Sequence, residues 1–250
     1  MSPPVFIGID SFPGVPQFSL AALDGDRQLI ALSSGPMAEM IAYTSGTAEA
    51  IVVVNAPPKP NQGLAQSQQP FPETEIQVNP RRLEDLRLAE VELRLKGYHV
   101  PRTFSDPDRC QGWMQRGFEL HSHIQTLGYI PFPSENPRTW LETQADACYQ
   151  SLLGVVPFRG GTLEGRLQRQ LVLHDQHLPV PDAMKFFEEI TRYKLLRSIL
   201  PAEDIHTSSE LNALMAALVA WMAGNEPQRL TPFGDPGEGV IYLPCIETDK

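Results

Sequence analysis

Four consecutive β-branched residues, Ile51 to Val54, constrain the fold of this chain more than any other feature. Such a run predicts a strand that is buried on both faces, since the side chains that point to either face of the sheet are apolar. The strand ends at the polar Asn55, and three prolines follow within 57–60. Three roles remain open for Asn55: a catalytic residue, the replacement of a catalytic acid, or a simple strand terminator.

Hydrophobic periodicity predicts an antiparallel meander followed by a helix and the strand 51–55. The meander strands are expected at 5–10, 17–24 and 27–33, and the helix at 35–46. Beyond these elements the pattern predicts strands at 138–143 and 239–244, and helices at 81–97, 107–128, 145–154, 162–174, 182–199 and 207–223.

The composition excludes some classes of protein. The formal net charge is −10, which has the wrong sign for a protein that neutralises the phosphates of long nucleic acid. The three cysteines are widely spaced and form no CxxC pair, which argues against a zinc site and fits a reducing compartment. No apolar run is long enough for a membrane span, and the first ten residues lack a leader pattern. We therefore expect a cytoplasmic protein without a membrane partner.

The 250 residues fit one α/β domain over 1–250, enlarged by a helical insertion at about 80–128. Residues 56–79 are rich in Pro, Gln and Asn and show no hydrophobic period. Because long connections without regular structure are uncommon in compact domains, we expect the 56–79 loop to be functional, for example in binding a protein partner.

Six short motifs, in this order along nearly the whole chain, resemble a domain-of-unknown-function family of predicted RNase H-like nucleases. They are IGID at 7–10, RLAE at 87–90, WLET at 140–143, EGRLQR at 164–169, SELNALMAALVA at 209–220 and GEGVIYLP at 237–244. The resemblance implies an RNase H-like mixed sheet of five strands, in which three antiparallel strands are followed by two parallel strands. Helices flank this sheet, and the C-terminal third is helical.

The resemblance also implies a two-metal site for phosphodiester hydrolysis, in which carboxylates hold Mg²⁺ or Mn²⁺. Carried over by position, the site residues are Asp10, Asn55, Glu142 and Asn212, with Ser209 where a further acid is common. The sequence departs from the family at 55 and 212, where Asn replaces an acid. Only Asp10 and Glu142 then remain as charged metal ligands.

This departure leads to two functional hypotheses. The first is a nuclease-family protein whose metal-dependent hydrolysis is weak or absent, and which binds a short nucleic acid or small anionic ligand near Asp10 and Glu142. The second is a binding or scaffold protein that keeps the fold without catalysis. Acids such as Glu73 or Glu75, if they converge on Asp10, favour the enzyme. The sequence leaves the oligomeric state undecided.

Each of these residues also has a purely structural interpretation. Asp10 can cap the following turn, and Glu142 can be an acid at a helix start. Glu210 forms a capping box with Thr207, which favours a cap over a metal ligand. His174 and His177 are spaced to share a helix face, but histidine near a helix C-terminus is common without any metal.

Overall fold

The computed structural model describes residues 3–11, 18–67 and 85–245. In this part of the chain one mixed sheet of eight strands carries helices on both faces, so the fold is α/β. The strands are β1 (Val5–Ser11), β2 (Phe18–Leu23), β3 (Leu29–Gly35), β4 (Ala50–Asn55), β5 (Ile130–Pro131), β6 (Arg138–Glu142), β7 (Leu230–Asp235) and β8 (Gly239–Pro244).

Nine α-helices lie between the strands in the described part of the chain. The α-helices of the described residues are α1 (Met37–Gly46), α2 (Leu64–Ser67), α3 (Leu88–Leu95), α4 (Gly112–Thr126), α5 (Ala145–Leu153), α6 (Leu163–Asp175), α7 (Lys185–Glu189), α8 (Arg192–Leu196) and α9 (Ser208–Asn225). Short 3-10 turns occupy Pro107–Arg109 and Pro227–Arg229.

The strand order is β3-β2-β1-β4-β6-β8-β7, and β5 pairs with β6 beside this path. The first three strands form the predicted antiparallel meander. Strand β4 then lies parallel to β1, and β6 lies parallel to β4. Because β1, β4 and β6 are parallel, their C-terminal ends meet at one edge of the sheet.

The prediction of five strands is wrong, since the sheet has eight. The predicted strand at 239–244 is present as β8, but β5 and β7 were not predicted. β5 has only two residues, and β7 contains Pro232 and Gly234, which weaken a strand pattern in the sequence. β7 lies at the end of the sheet, where a proline is tolerated because one side of the strand is unpaired.

Two predicted helices are shorter in the structure. The helix expected over 182–199 is divided into α7 and α8, because Ile190 is extended and Thr191 begins a new helix by accepting a hydrogen bond from the Lys194 N–H. The helix expected over 81–97 begins only at Leu88. Residues 81–84 of that prediction, and the acids Glu73 and Glu75, lie outside the described residues.

Helix α9 packs directly on the centre of the sheet. A Cβ atom on Gly8 would lie 2.1 Å from the backbone nitrogen of Ala217, so the absent side chain is what admits the helix. The small residues Ala213, Ala216 and Ala217 of α9 are fully buried on the same packing surface. This close approach fixes the first turns of α9 above the end of β1.

No helix among the described residues is long and apolar enough to cross a membrane.

We expect Gly8→Ala to lower the free energy of unfolding by about 3 kcal/mol, since the new methyl group meets helix backbone that cannot rotate away. Chemical denaturation measures the effect. Gly46→Ala is the matched control, because a Cβ there meets nothing within 4 Å. Equal stability of the Gly8→Ala protein and the wild type would contradict the close packing of α9.

Candidate functional site

Four polar side chains meet at the C-terminal edge of the parallel strands, those of Asp10, Asn55, Ser209 and Asn212. Asp10 and Asn55 are in register on β1 and β4, so their side chains point to the same face of the sheet. Asn55 Nδ2 donates to Asp10 Oδ1 at 2.6 Å, and Ser209 Oγ donates to Asp10 Oδ2 at 2.7 Å. Asn212 Nδ2 lies 3.4 Å from Asp10 Oδ1. The structure thus brings together three of the four predicted site residues, with Ser209.

The amide of Asn55 also caps a helix. Its Oδ1 accepts a hydrogen bond of 2.8 Å from the backbone N–H of Ala145, the first residue of α5. The side chain of Gln144, at the N-cap position, makes no capping bond itself. Because a backbone N–H can only donate, the atom of Asn55 that faces Ala145 must be the oxygen. The nitrogen of the amide is therefore directed at Asp10.

Asp10 is a buried carboxyl group that is only 2% exposed. Burial raises its pKa to about 6, although the hydrogen bonds from Asn55, Ser209 and Asn212 oppose the shift. The negative charge of Asp146 adds to the increase in pKa. In the described part of the chain, the side chains that donate to the ionised form of this carboxyl group are all neutral.

A cavity of about 260 Å³ opens beside Asp10. Most of its described lining residues are polar, and they include Asp146 and His99 beside the apolar Pro101 and Trp113. Asp146 is largely exposed, and its Oδ1 accepts a bond of 2.7 Å from the buried guanidinium of Arg169. The carboxylates of Asp10 and Asp146 give the cavity an acidic character.

Glu142 lies on the other face of the sheet, away from Asp10. In the parallel register Glu142 is opposite Val54, whereas Asp10 is opposite Asn55. Successive residues of a strand point to opposite faces, so the side chains of Asp10 and Glu142 point away from each other. The implied convergence of Asp10 and Glu142 on shared metal ions is thus not present in this structure.

Glu142 belongs instead to a buried ionic network. Its two oxygens accept bonds of 2.8 and 2.5 Å from Arg87, whose Nε also donates to Glu90 at 3.0 Å. Glu90 accepts further bonds from the backbone and hydroxyl of Thr103. Burial raises the pKa of Glu142 to about 7, and the charge of Arg87 opposes that shift. This pair joins α3 to β6 and has the geometry of a structural ion pair.

The residues around Asp10 do not fit a two-metal centre. Among the described residues, the side chains bonded to Asp10 are two amide nitrogens, from Asn55 and Asn212, and the hydroxyl of Ser209, and none of them is a second carboxylate. Metal ions of this class require several oxygen ligands, and bridging two of them requires carboxylates. In the described ranges, no group of three or more His, Cys, Asp or Glu side chains could hold a metal ion.

The remaining candidates have structural roles. Glu210 forms the predicted capping box, since its Oε2 accepts a bond of 2.8 Å from the Thr207 N–H. His177 lies beyond the end of α6 with a φ of 61°, so it does not share a helix face with His174. Arg169 is buried and paired with Asp146.

Asp146 is a charged residue of the site that the sequence does not predict. Its signal in the sequence is weak, because an acid in the first turn of a helix is common without any function. Its position directly after the strand that ends at Glu142 does place it at the same edge of the sheet as Asp10. Ser209 carries a clearer signal, since it precedes Asn212 by three residues on one helix.

No protein-family model matches the sequence, and comparisons with curated proteins and with solved structures find no significant match.

The raised pKa of Asp10 predicts a specific pH dependence of stability. A carboxyl group that binds its proton more tightly in the folded state lowers the free energy of unfolding as the pH rises from its unfolded to its folded pKa. Between pH 4.5 and 7.5 the wild type should lose about 2 kcal/mol relative to Asp10→Asn, in which this titration is absent. Denaturation at each pH measures the free energy of unfolding of both proteins. The same pH dependence in the two proteins would contradict the raised pKa of Asp10.

Proposed function

We propose that this chain is an RNase H-like protein that has exchanged its metal site for a hydrogen-bonded network and acts by binding rather than by phosphodiester hydrolysis. The observation that carries the proposal is the double bonding of Asn55, which caps α5 through its oxygen and binds Asp10 through its nitrogen. Hydrolysis by this site is then weak or absent.

The strand order supports the RNase H-like part of the proposal. An antiparallel meander β3-β2-β1 is extended by the parallel strands β4 and β6, in agreement with the topology that the sequence motifs imply. The late helix α9 brings Asn212 over Asp10, as the resemblance also implies. The strands β7 and β8 then extend the sheet beyond the implied five strands.

The charges around the cavity decide which ligands fit there. Among the described residues, the carboxylates of Asp10 and Asp146 line it together with amide groups. Asp146 is paired with Arg169, so its charge is largely compensated. The carboxylate of Asp10 is then the charge that an anionic ligand such as a phosphate would meet, so the cavity favours a small polar ligand that donates hydrogen bonds or carries a positive charge.

Titration with Mn²⁺ tests the proposal on the wild type and on the double variant Asn55→Asp with Asn212→Asp. We expect the wild type to show no saturable binding at micromolar Mn²⁺ and no cleavage of single-stranded, double-stranded or RNA–DNA hybrid substrates. In the double variant, carboxylates face Asp10 across short distances, so Mn²⁺ affinity should rise roughly tenfold or more. Mn²⁺ should also raise the melting temperature of this variant only.

Asn136→Asp is the matched control, because Asn136 is exposed and its Oδ1 accepts a bond from the Arg138 N–H that an aspartate would retain. The proposal is wrong if the wild type binds Mn²⁺ at micromolar concentration, loses this binding in Asp10→Ala and cleaves a substrate. An unchanged affinity in the double variant would show that the two asparagines do not meet at Asp10.

A further inference from the structure

A second and larger cavity, of about 620 Å³, lies between α4, β5, β6 and the turn that joins β7 to β8. It lies beside a short strand pairing. In the described residues β6 pairs with β8 at Glu142, opposite Ile241, whereas Thr139 and Trp140 of β6 pair with β5. Trp140 and Glu142 of β6 and Tyr242 of β8 line the cavity.

The walls of this cavity are aromatic. Phe118, Tyr129, Phe132, Trp140 and Tyr242 line it. The hydroxyl of Tyr129 donates to the Thr44 carbonyl, and that of Tyr242 donates to the Phe132 carbonyl, so hydrogen bonds hold both phenols in place. Aromatic walls of this kind, in a volume within the usual range of about 300 to 1,000 Å³, are typical of small-molecule sites.

The charge of the lining differs from that of the whole chain. Among the described lining residues, Lys59 carries the positive charge and Glu142 the negative charge. Glu142 is neutralised by its two bonds to Arg87. Lys59 donates to the carbonyl of Gly237, and no carboxylate of the described residues forms an ion pair with it. One positive charge therefore remains for a ligand beside the aromatic walls, in a chain of net charge −10.

We propose that this cavity binds a planar aromatic anion, with the rings between the aromatic side chains and the anionic group at Lys59. The aromatic surface supplies most of the affinity, and Lys59 selects the anion over a neutral molecule of the same shape. This site lies apart from Asp10 and does not depend on the function proposed for that residue.

Calorimetric titration with 2-naphthoate and with uncharged 2-naphthalenemethanol tests the proposal, because the two probes share their rings and differ in charge. We expect the wild type to bind 2-naphthoate about fivefold more tightly than the alcohol, the scale of one partly exposed ion pair. Lys59→Gln should remove this difference and leave binding of the alcohol unchanged. Lys185→Gln, an exposed lysine on α7, is the control and should keep it.

Ser122→Trp tests the location of the site, since Ser122 is an exposed residue of α4 on the cavity wall and its replacement can fill the space. It should abolish binding of both probes, whereas Ser45→Trp on α1 should not. No binding of either probe to the wild type, equal affinities for the two probes, or undiminished binding in Ser122→Trp would each overturn the proposal.

Discussion

The packing of α9 on β1 is the constraint on which the rest of the site depends. There is no room for a side chain at position 8, because the backbone of Ala217 lies where a Cβ atom of residue 8 would be. At this distance from the strand, Ser209 and Asn212 can reach the carboxyl group at the end of β1. Gly8 and Asp10 are two residues apart and share a face, so the residue that admits the helix also aligns the site below it.

Asn55 has two structural roles at once. Its oxygen caps α5, as an aspartate oxygen also would, while its nitrogen supplies a donor to Asp10 where a second carboxylate would supply repulsion. Hydrogen bonds from neutral donors stabilise a buried carboxyl group of this kind without a cation. The pKa of Asp10 is nevertheless raised, because these hydrogen bonds offset only part of the effect of burial on the ionised form.

The sequence predicts the ends of β1 and β4 well, because a polar residue after a buried strand is a strong local pattern. It does not predict which face a side chain occupies, since a shift of one residue in register reverses the face. The resemblance places Glu142 with Asp10, but Glu142 is opposite Val54 rather than Asn55 and bonds to Arg87 on the other face of the sheet. The strands β5 and β7 escaped prediction because their pairing is tertiary and their own patterns are short or interrupted by proline.

We propose that Asp10 binds no metal ion, because the oxygen of Asn55 faces the N–H of Ala145 and its nitrogen faces Asp10. A high-resolution crystal structure of the wild type, grown in millimolar Mn²⁺ and recorded with anomalous diffraction, tests it most directly. We expect Asn55 to bridge Ala145 and Asp10, with no anomalous density beside Asp10. An anomalous peak within about 2.2 Å of oxygens from both Asp10 and Asn55 would contradict it, since that distance is typical of a metal–oxygen bond.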